Sequence, residues 1–346
     1  MLALRDLQWR RRRFGVAIGG TALVFAMTLL LSGLAASFRA EAARTVDALR
    51  ADAWVVKSGI TGPFTALSTM PSEAWRAVLV SPTVQEASPL IVMHQVIRSP
   101  IMKDINLFGY RMEGIGMPEV TEGRLPRRDG EAVVNDSLGL KIGTTFDIAG
   151  RRSKIVGLTH GMTFNAGSPN IYVPIGDAQA IAFEGRPVAN AMLVRGMPLS
   201  VPKGLQVMSN DAVRRDLLRP LENAVSAIDM VQFLLWIVAV NIIGAVVYLS
   251  SLERVRDFAV LKATGYSTNS LLLGLGLQSV VVSVGAVAAA MVIARLLAPL
   301  FPLPVALQGQ AMALLPGIGV AVGLLASLFG VRRAGAVDPA VAFGGP

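Results

Sequence analysis

The residue types that do covalent or metal chemistry are scarce. The chain of 346 residues has two histidines, His94 and His160, and no cysteine. Neither histidine stands in a His-Glu-x-x-His pattern, so no zinc site of the water-activating kind is expected, and they read as ordinary surface or core histidines. Ser137 and Ser168 lack the Gly-x-Ser-x-Gly turn that exposes a hydrolytic nucleophile. Gly139-Leu-Lys-Ile-Gly-Thr-Thr145 is glycine-rich but lacks the Gly-Lys-Ser/Thr ending of a phosphate cradle, and no such ending occurs elsewhere in the chain. The expectation is therefore a protein with no catalytic residues, no metal and no bound cofactor. What remains is recognition by charge. The segment from Leu252 to Tyr266 carries Glu253, Arg254, Arg256 and Asp257 on one face of a helical repeat, with Leu252, Val255, Phe258 and Ala259 on the other. Leu261 and Lys262 continue it, Gly265 supplies a C-terminal cap, and Ser267 opens the next helix.

The elements that hold this segment are two long apolar runs on either side of it. Phe14 to Ala36, Met230 to Leu252, Leu271 to Ala294 and Ala311 to Val331 hold 21 to 24 residues each without a charge. Each is long enough to cross a hydrocarbon core of about 30 Å as a helix, so four spans are expected (14–36, 230–252, 271–294, 311–331). The composition agrees: 53% of residues are hydrophobic and 16% charged.

A net charge of +9 invites a nucleic-acid reading, but its placement excludes one. Residues 38 to 227 carry 21 Lys+Arg against 18 Asp+Glu, a nearly balanced surface. The excess lies beside the spans, at Arg5 and Arg10 to Arg13, at Arg254, Arg256 and Lys262, and at Arg332 and Arg333. By the positive-inside rule both termini and residues 253–268 are cytoplasmic, and residues 37–228 are outside a cell membrane crossed several times. Residues 1–13 alternate Leu2, Leu4, Leu7 and Trp9 with cationic positions, as suits a short amphipathic helix on the lipid surface. The first apolar run is longer than the core of about 7 to 15 residues in a signal peptide.

Between the first two spans the pattern becomes that of an α+β domain. Residues 37–52 extend the first span as a helical stalk. Ala53 to Lys57 reads as a strand, Ser72 to Val80 as a helix, and Val84 to Ile97 as helix or strand. Short strands are expected at 131–135, 145–148, 152–157 and 170–173, separated by Gly, Pro and Asp turns. Residues 211–228 form a second stalk. Without cysteine, this domain must rest on its hydrophobic core alone.

The arrangement Glu-Arg-x-Arg-Asp-x-Ala-x-Leu-Lys-Ala-x-Gly directly after a span resembles the MacB/FtsX-like permeases of ABC transporters. The likeness extends through Ala-Asp-Ala-Trp-Val-Val (51–56), Glu-Gly-Arg-Leu-Pro (122–126), Gly-Glu-Ala-Val-Val (130–134), Leu-Lys-Ile-Gly-Thr-Thr (140–145), Lys-Ile-Val-Gly-Leu (154–158), Ile-Tyr-Val-Pro (171–174) and the ending Arg-Arg-Ala-Gly-Ala-Val-Asp-Pro-Ala (332–340). In length the chain is closer to compact DevC-like and haem-exporter-like members.

The resemblance implies a coupling helix at Glu253, Arg254, Val255, Arg256, Asp257, Phe258, Leu261, Lys262 and Gly265 that meets a cytoplasmic ATPase. It further implies a homodimer working with two ATPase copies, where ATP and Mg bind the ATPase and not this chain. The substrate class implied is hydrophobic or amphipathic. The alternative is a non-transporting regulator of an extracytoplasmic cell-wall hydrolase, with a protein partner outside.

Within the spans the polar residues are Asn241, Gln278, Ser279 and Ser283, which usually bond across helices. Small residues at Gly15 and Gly19, Gly274 and Gly276, Ala286 and Ala290, and Gly319 and Gly323 permit close helix approach inside a protomer or at a dimer interface. Pro316 is expected to kink the last span.

Overall fold

The computed structural model describes residues 11–252, 260, 267–301, 305 and 309–335. It divides into two compact units, Phe38–Asn223 and Met1–Ser37 with Ala224–Pro346. Helix α1 (Arg11–Ala48) runs unbroken through the first boundary, and α5 (Glu222–Leu252) begins at the second.

The unit Phe38–Asn223 is built on an eleven-stranded sheet, counted among the described residues. Its strands are β1 (Ala53–Lys57), β3 (Val84–Ser99), β4 (Lys103–Tyr110), β5 (Glu122–Gly123), β6 (Glu131–Asn135), β7 (Thr145–Ile148), β8 (Arg151–Thr159), β9 (Thr163–Phe164), β10 (Ser168–Pro174), β12 (Ala191–Gly196) and β13 (Leu205–Ser209). β2 (Met70–Pro71) pairs β11 (Val188–Ala189) apart from it, and the short helix α2 (Trp75–Val78) follows β2. β3 pairs β4, β4 pairs β10, β10 pairs β6, β6 pairs β8, β8 pairs β7, and β7 returns to β3. This closed path makes a small barrel. The other half of β3 carries an open extension through β12 and β1 to β13.

The chemistry of the strands follows from this closure. In β6 and β10 every residue but Ser168 is buried, because these strands have packed layers on both faces, and their Ala-Val-Val and Ile-Tyr-Val runs are the unbroken apolar strings such strands require. Inward-facing Ile97, Ile105, Val134, Phe146, Ile155 and Ile171, one from each barrel strand, fill the interior. Helix α3 (Ile175–Ala182) lies against this body where Gly109 leaves room: a Cβ there would stand 2.2 Å from that of Ala178. β7 and β8 are joined by Ala149 (φ 51°) and Gly150 (φ 80°), the two left-handed residues of a tight hairpin, with Asp147 Oδ1 accepting from Gly150 N at 3.0 Å.

The outer face of the sheet forms a second core with Trp54, Leu90, Phe108, Tyr172 and Leu193. Phe108 stacks on Tyr172 at 5.0 Å between centroids and meets Phe164 edge-on at 5.8 Å. Two helices complete this core, α1 through Ala42 and Val46, with Leu49 in the turn just after it, and α4 (Asn210–Leu218) through Val213 and Leu217.

In the second unit, parts of α1 and α5 join α6 (Thr268–Leu297) and α7 (Gly309–Gly335), which contains Pro316. Their shared core includes Phe14, Phe25, Leu29, Ile243, Val287 and Leu315. Among the described residues, three helices are long and apolar enough to cross a membrane: Phe14–Ala48, Asn210–Val246 and Gly276–Leu300. Met312–Leu325 is a shorter apolar helical stretch.

Candidate functional site

Residues that could carry force or contact a partner fall into three groups: the coupling segment, the roots of the stalk helices, and the packing surfaces of the apolar helices. The first, comprising Glu253, Arg254, Val255, Arg256, Asp257, Phe258, Leu261, Lys262 and Gly265, lies outside the described residues. So do residues 1–10 and 336–346 of the expected terminal segments.

The stalk roots are built into the sheet domain by polar bonds as well as by the core. On α1, Phe38, Ala42, Thr45 and Val46 recur at helical spacing and are buried, as is Leu49 in the turn that follows, and Glu41, 2% exposed, falls on the same face. Thr163 donates its hydroxyl to Glu41 Oε1 at 2.8 Å, and Thr45 donates to Thr163 O at 3.4 Å. The backbone N–H of Gly167 also bonds to Glu41. These contacts hold the β9–β10 hairpin, whose turn places Asn165 (φ 56°) and Ala166 (φ 60°) in the left-handed region. Asn106 Nδ2 fixes the other side of the hairpin, donating to Ser168 O at 2.9 Å and Phe164 O at 3.2 Å.

The second root is tied as closely. Ser209 caps α4, its hydroxyl accepting from Ala212 N at 3.3 Å. Asn210 takes a bond from Trp54 Nε1 at 2.9 Å and donates to Ala51 O at 2.8 Å. Asp216, 3% exposed, accepts from Phe64 N at 2.9 Å and from the Thr65 hydroxyl. Arg214 reaches from α4 to Asp47 of α1 at 2.5 Å while bonding Asp211 at 2.7 Å, so one guanidinium ties the two roots to each other.

The stalks are expected at 37–52 and 211–228; the first helix ends at Ala48, and the second stretch is Asn210–Leu218, a 3-10 turn at Arg219–Leu221 and helix again from Glu222. None of the contacts above is expected from the sequence. The signal lay in acids on apolar helical faces: Asp216 shares a face with Val213 and Leu217, as Glu41 does with Phe38 and Ala42. A carboxylate in such a place needs a donor.

In the membrane unit, the small residues fall into two sets. Ala286 and Ala290 are fully buried within the protomer. Gly319 and Gly323 bring α7 against α6: a Cβ at Gly323 would stand 2.8 Å from Ser283 Oγ and 3.0 Å from Ser279 O, and one at Gly319 2.6 Å from Val287 Cγ2. Gln278, Ser279 and Ser283 are buried in the same region. Gly15 and Gly19 instead face outward, with nothing within 4 Å of a Cβ at either. Asn241 is also outward-facing, and donates to its own helix at Ile237 O, 3.0 Å away.

Outside the spans burial raises the pKa of Glu41 on the first stalk root, and two carboxylates elsewhere in the sheet domain also have displaced pKa values. The Arg124 guanidinium grips Glu131 through two bonds of 2.7 and 2.8 Å, and with the Arg127 N–H lowers its pKa to about 2. Burial raises that of Asp177, which accepts from Gly130 N at 2.6 Å. Both tie strands and loops together, and neither faces a catalytic partner. Among the described residues no cluster of three or more His, Asp or Glu side chains could hold a metal.

Residues 230–339 match the family model described as FtsX-like permease C-terminal. An uncharacterized ABC transporter permease of Mycobacterium tuberculosis (strain ATCC 25618 / H37Rv) is 45% identical over 345 residues, covering 99% of both chains. A second from the same strain is 42% identical, again over 99% of both. Among solved structures, the periplasmic region of MacB from Actinobacillus actinomycetemcomitans gives a TM-score of 0.36 at 12% identity, covering 47% of this chain and 91% of that one. The extracellular domain of the ABC-type transporter YknZ from Gram-positive bacteria gives 0.34 at 14%, covering 46% and 99%. With relatives this similar over their whole length, the chain belongs to the FtsX-like family of ABC transporter permeases.

Proposed function

We propose that this permease works by transmitting motion across the membrane rather than by enclosing a pore. Two copies of the chain pair with two copies of a cytoplasmic ATPase, which binds the ATP and Mg. Four spans (14–36, 230–252, 271–294, 311–331) place residues 37–228 outside the cell membrane, inserted between the first and second spans, with both termini inside. Closure of the ATPase dimer moves the coupling segment at 253–268. That movement passes along the second and first spans into the stalks and reaches the external domain, which extracts or expels a hydrophobic or amphipathic substrate.

One observation carries this reading. Both stalk roots share the core of the external sheet, Ala42, Val46 and Leu49 from one and Val213 and Leu217 from the other. Each is also pinned by a buried carboxylate, Glu41 or Asp216. A close-packed interior shifts as a body and transmits strain, so displacement of a root displaces the sheet. α1 supports this further by running from Arg11 to Ala48 without a break.

The test is made at the coupling segment. In an interface of this kind the apolar anchor carries most of the energy, and rim charges set salt dependence. Phe258→Ala should strip the ATPase from the purified permease more than any single charge change, and Glu253→Lys should weaken assembly in a salt-sensitive way. If both variants retain the ATPase and its turnover, residues 253–268 are only a loop and the transmission reading fails.

A further inference from the structure

The sheet domain contains a cavity of about 70 Å³ that the transmission of motion does not require. Its floor is apolar, built from Val92 and Met93 of β3, Phe164 of β9, Phe64 of the loop before β2, Leu217 of α4 and Pro220 of the 3-10 turn that follows. Val92 and Leu217 are each only 4% exposed. The mouth is polar, with Thr65, His94 and Asn165 exposed at the rim. A buried apolar floor beneath an exposed polar rim is the form that takes an amphipathic molecule end-on.

Water does not suit this floor, because a buried water needs two to four polar partners and apolar cavities stay dry. The buried polar side chain among the lining residues, Asn106, already donates from Nδ2 to Phe164 O, Ser168 O and Asn170 Oδ1. At about 15 Å³ for each water-sized position, the space admits roughly five such groups, each of about the bulk of a methylene. The walls are firm. Phe64 meets Phe164 edge-on at 5.3 Å between centroids and Phe108 at 6.4 Å, and its N–H bonds Asp216 of the second stalk root. Phe164 belongs to the hairpin that Glu41 of the first root clasps through Thr163. The cavity therefore lies between the groups tied to one root and the groups tied to the other.

We infer that this cavity seats the end of a lipid acyl chain. The argument for a lipid is reach. Pro220 stands ten residues before Met230, where the apolar run of α5 begins. As helix those residues rise about 15 Å, which is also the length of an acyl chain that fills half of a hydrocarbon core of about 30 Å. A chain drawn up from the membrane surface thus reaches the floor, and its polar end stays at the wet rim. Because Phe64, Phe164 and Leu217 all touch the occupant, filling or emptying the cavity is felt at both stalk roots. The inference rests on residues 230–252 crossing a membrane, as proposed above, and not on the ATPase.

The test uses the full-length permease in phosphatidylcholine vesicles doped with phosphatidylcholine that carries a photoreactive diazirine at the end of one acyl chain. After illumination the labelled residues are mapped by mass spectrometry. Label should appear on Met93, Phe164 or Leu217 as well as along 230–252. His94→Trp plugs the rim from an exposed position, at the loss of only an exposed contact with Asp104. It should cut labelling of the floor about tenfold, the equivalent of keeping one or two methylenes out of an apolar site, and leave that of the span unchanged. His160→Trp, at an exposed histidine outside the lining, should label like the parent. Label confined to the spans, as a protein partner or bound water in the cavity would give, overturns the inference while the transmission reading stands. So does floor labelling that survives His94→Trp. A parent chain labelled nowhere along 230–252 instead fails the span reading, and the argument from reach with it.

Discussion

Replacing Asp216 with Ala removes the carboxylate that pins the second stalk root to the sheet domain. Two bonds go with it, from Phe64 N at 2.9 Å and from the Thr65 hydroxyl, and the site is 3% exposed, so water cannot replace them freely. Bonds to a charged acceptor contribute about 1.5–3 kcal/mol each, and an abandoned buried donor costs a further amount of similar size. Against this, Asp216 no longer has to be desolvated. The balance is a loss of about 3 kcal/mol. In a unit the size of Phe38–Asn223, each kcal/mol shifts the unfolding midpoint by roughly 2–4 °C, so Asp216→Ala should unfold roughly 6–12 °C earlier. Asp216→Asn keeps one acceptor oxygen and should lose about half as much. The assay is thermal unfolding of the purified full-length permease, with amide exchange at Phe64 as a local readout. A midpoint for Asp216→Ala within about 2 °C of the parent, or Asn falling below Ala, would refute the reasoning.

Glu131 makes stability pH-dependent. Its pKa falls from 4.5 to about 2 on folding, so its contribution is complete above about 4.5 and disappears as pH falls from there toward 2. The unfolding midpoint of Glu131→Gln should therefore sit below the parent's at pH 6 and approach it as pH falls through about 2. In the membrane unit, Gly323→Leu drives bulk into Ser279 and Ser283, whereas Gly317 has nothing within 4 Å of a Cβ. Gly323→Leu should cost about 1–3 kcal/mol and lower the yield of folded protein, and Gly317→Leu should not, which expression and thermal aggregation in detergent will read. For topology, single cysteines at Ser168 and Ser267 should be labelled in intact cells by an impermeant maleimide only at Ser168. Labelling at Ser267 would invert the proposed arrangement.

Much of the fold was legible because the relevant signal is local. The strand expected at Ala53–Lys57 forms with those bounds, as do 131–135 and 145–148, and the expected 152–157 and 170–173 lie within β8 and β10. Val84 to Ile97 left helix and strand open because its apolar content has no clean period. The structure gives the reason: it is one long strand serving both the barrel and the open extension, buried on both faces in its middle. The expected helix at 72–80 shrinks to a short 3-10 and α segment over Ser72–Val78. β4 drew no expectation, since Lys103, Asp104 and Asn106 interrupt its apolar residues, yet it lies at the heart of the barrel.

The sequence alone determined what depends on composition and order: the apolar helices, the cationic flanks, the charged segment at 253–268 and the absence of a phosphate cradle. These are properties of neighbouring residues, and solvation acts on them wherever the chain goes. Tertiary structure decided which small residues face inward. Ala286 and Gly323 pack inside the protomer while Gly15 and Gly19 face out, though all four look alike in sequence. It also decided that Glu41 finds Thr163, and Asp216 finds Phe64, across 122 and 152 residues of chain. Such partners meet only after the barrel closes, because a hydrogen bond depends on distance in space and no pattern along the chain encodes it.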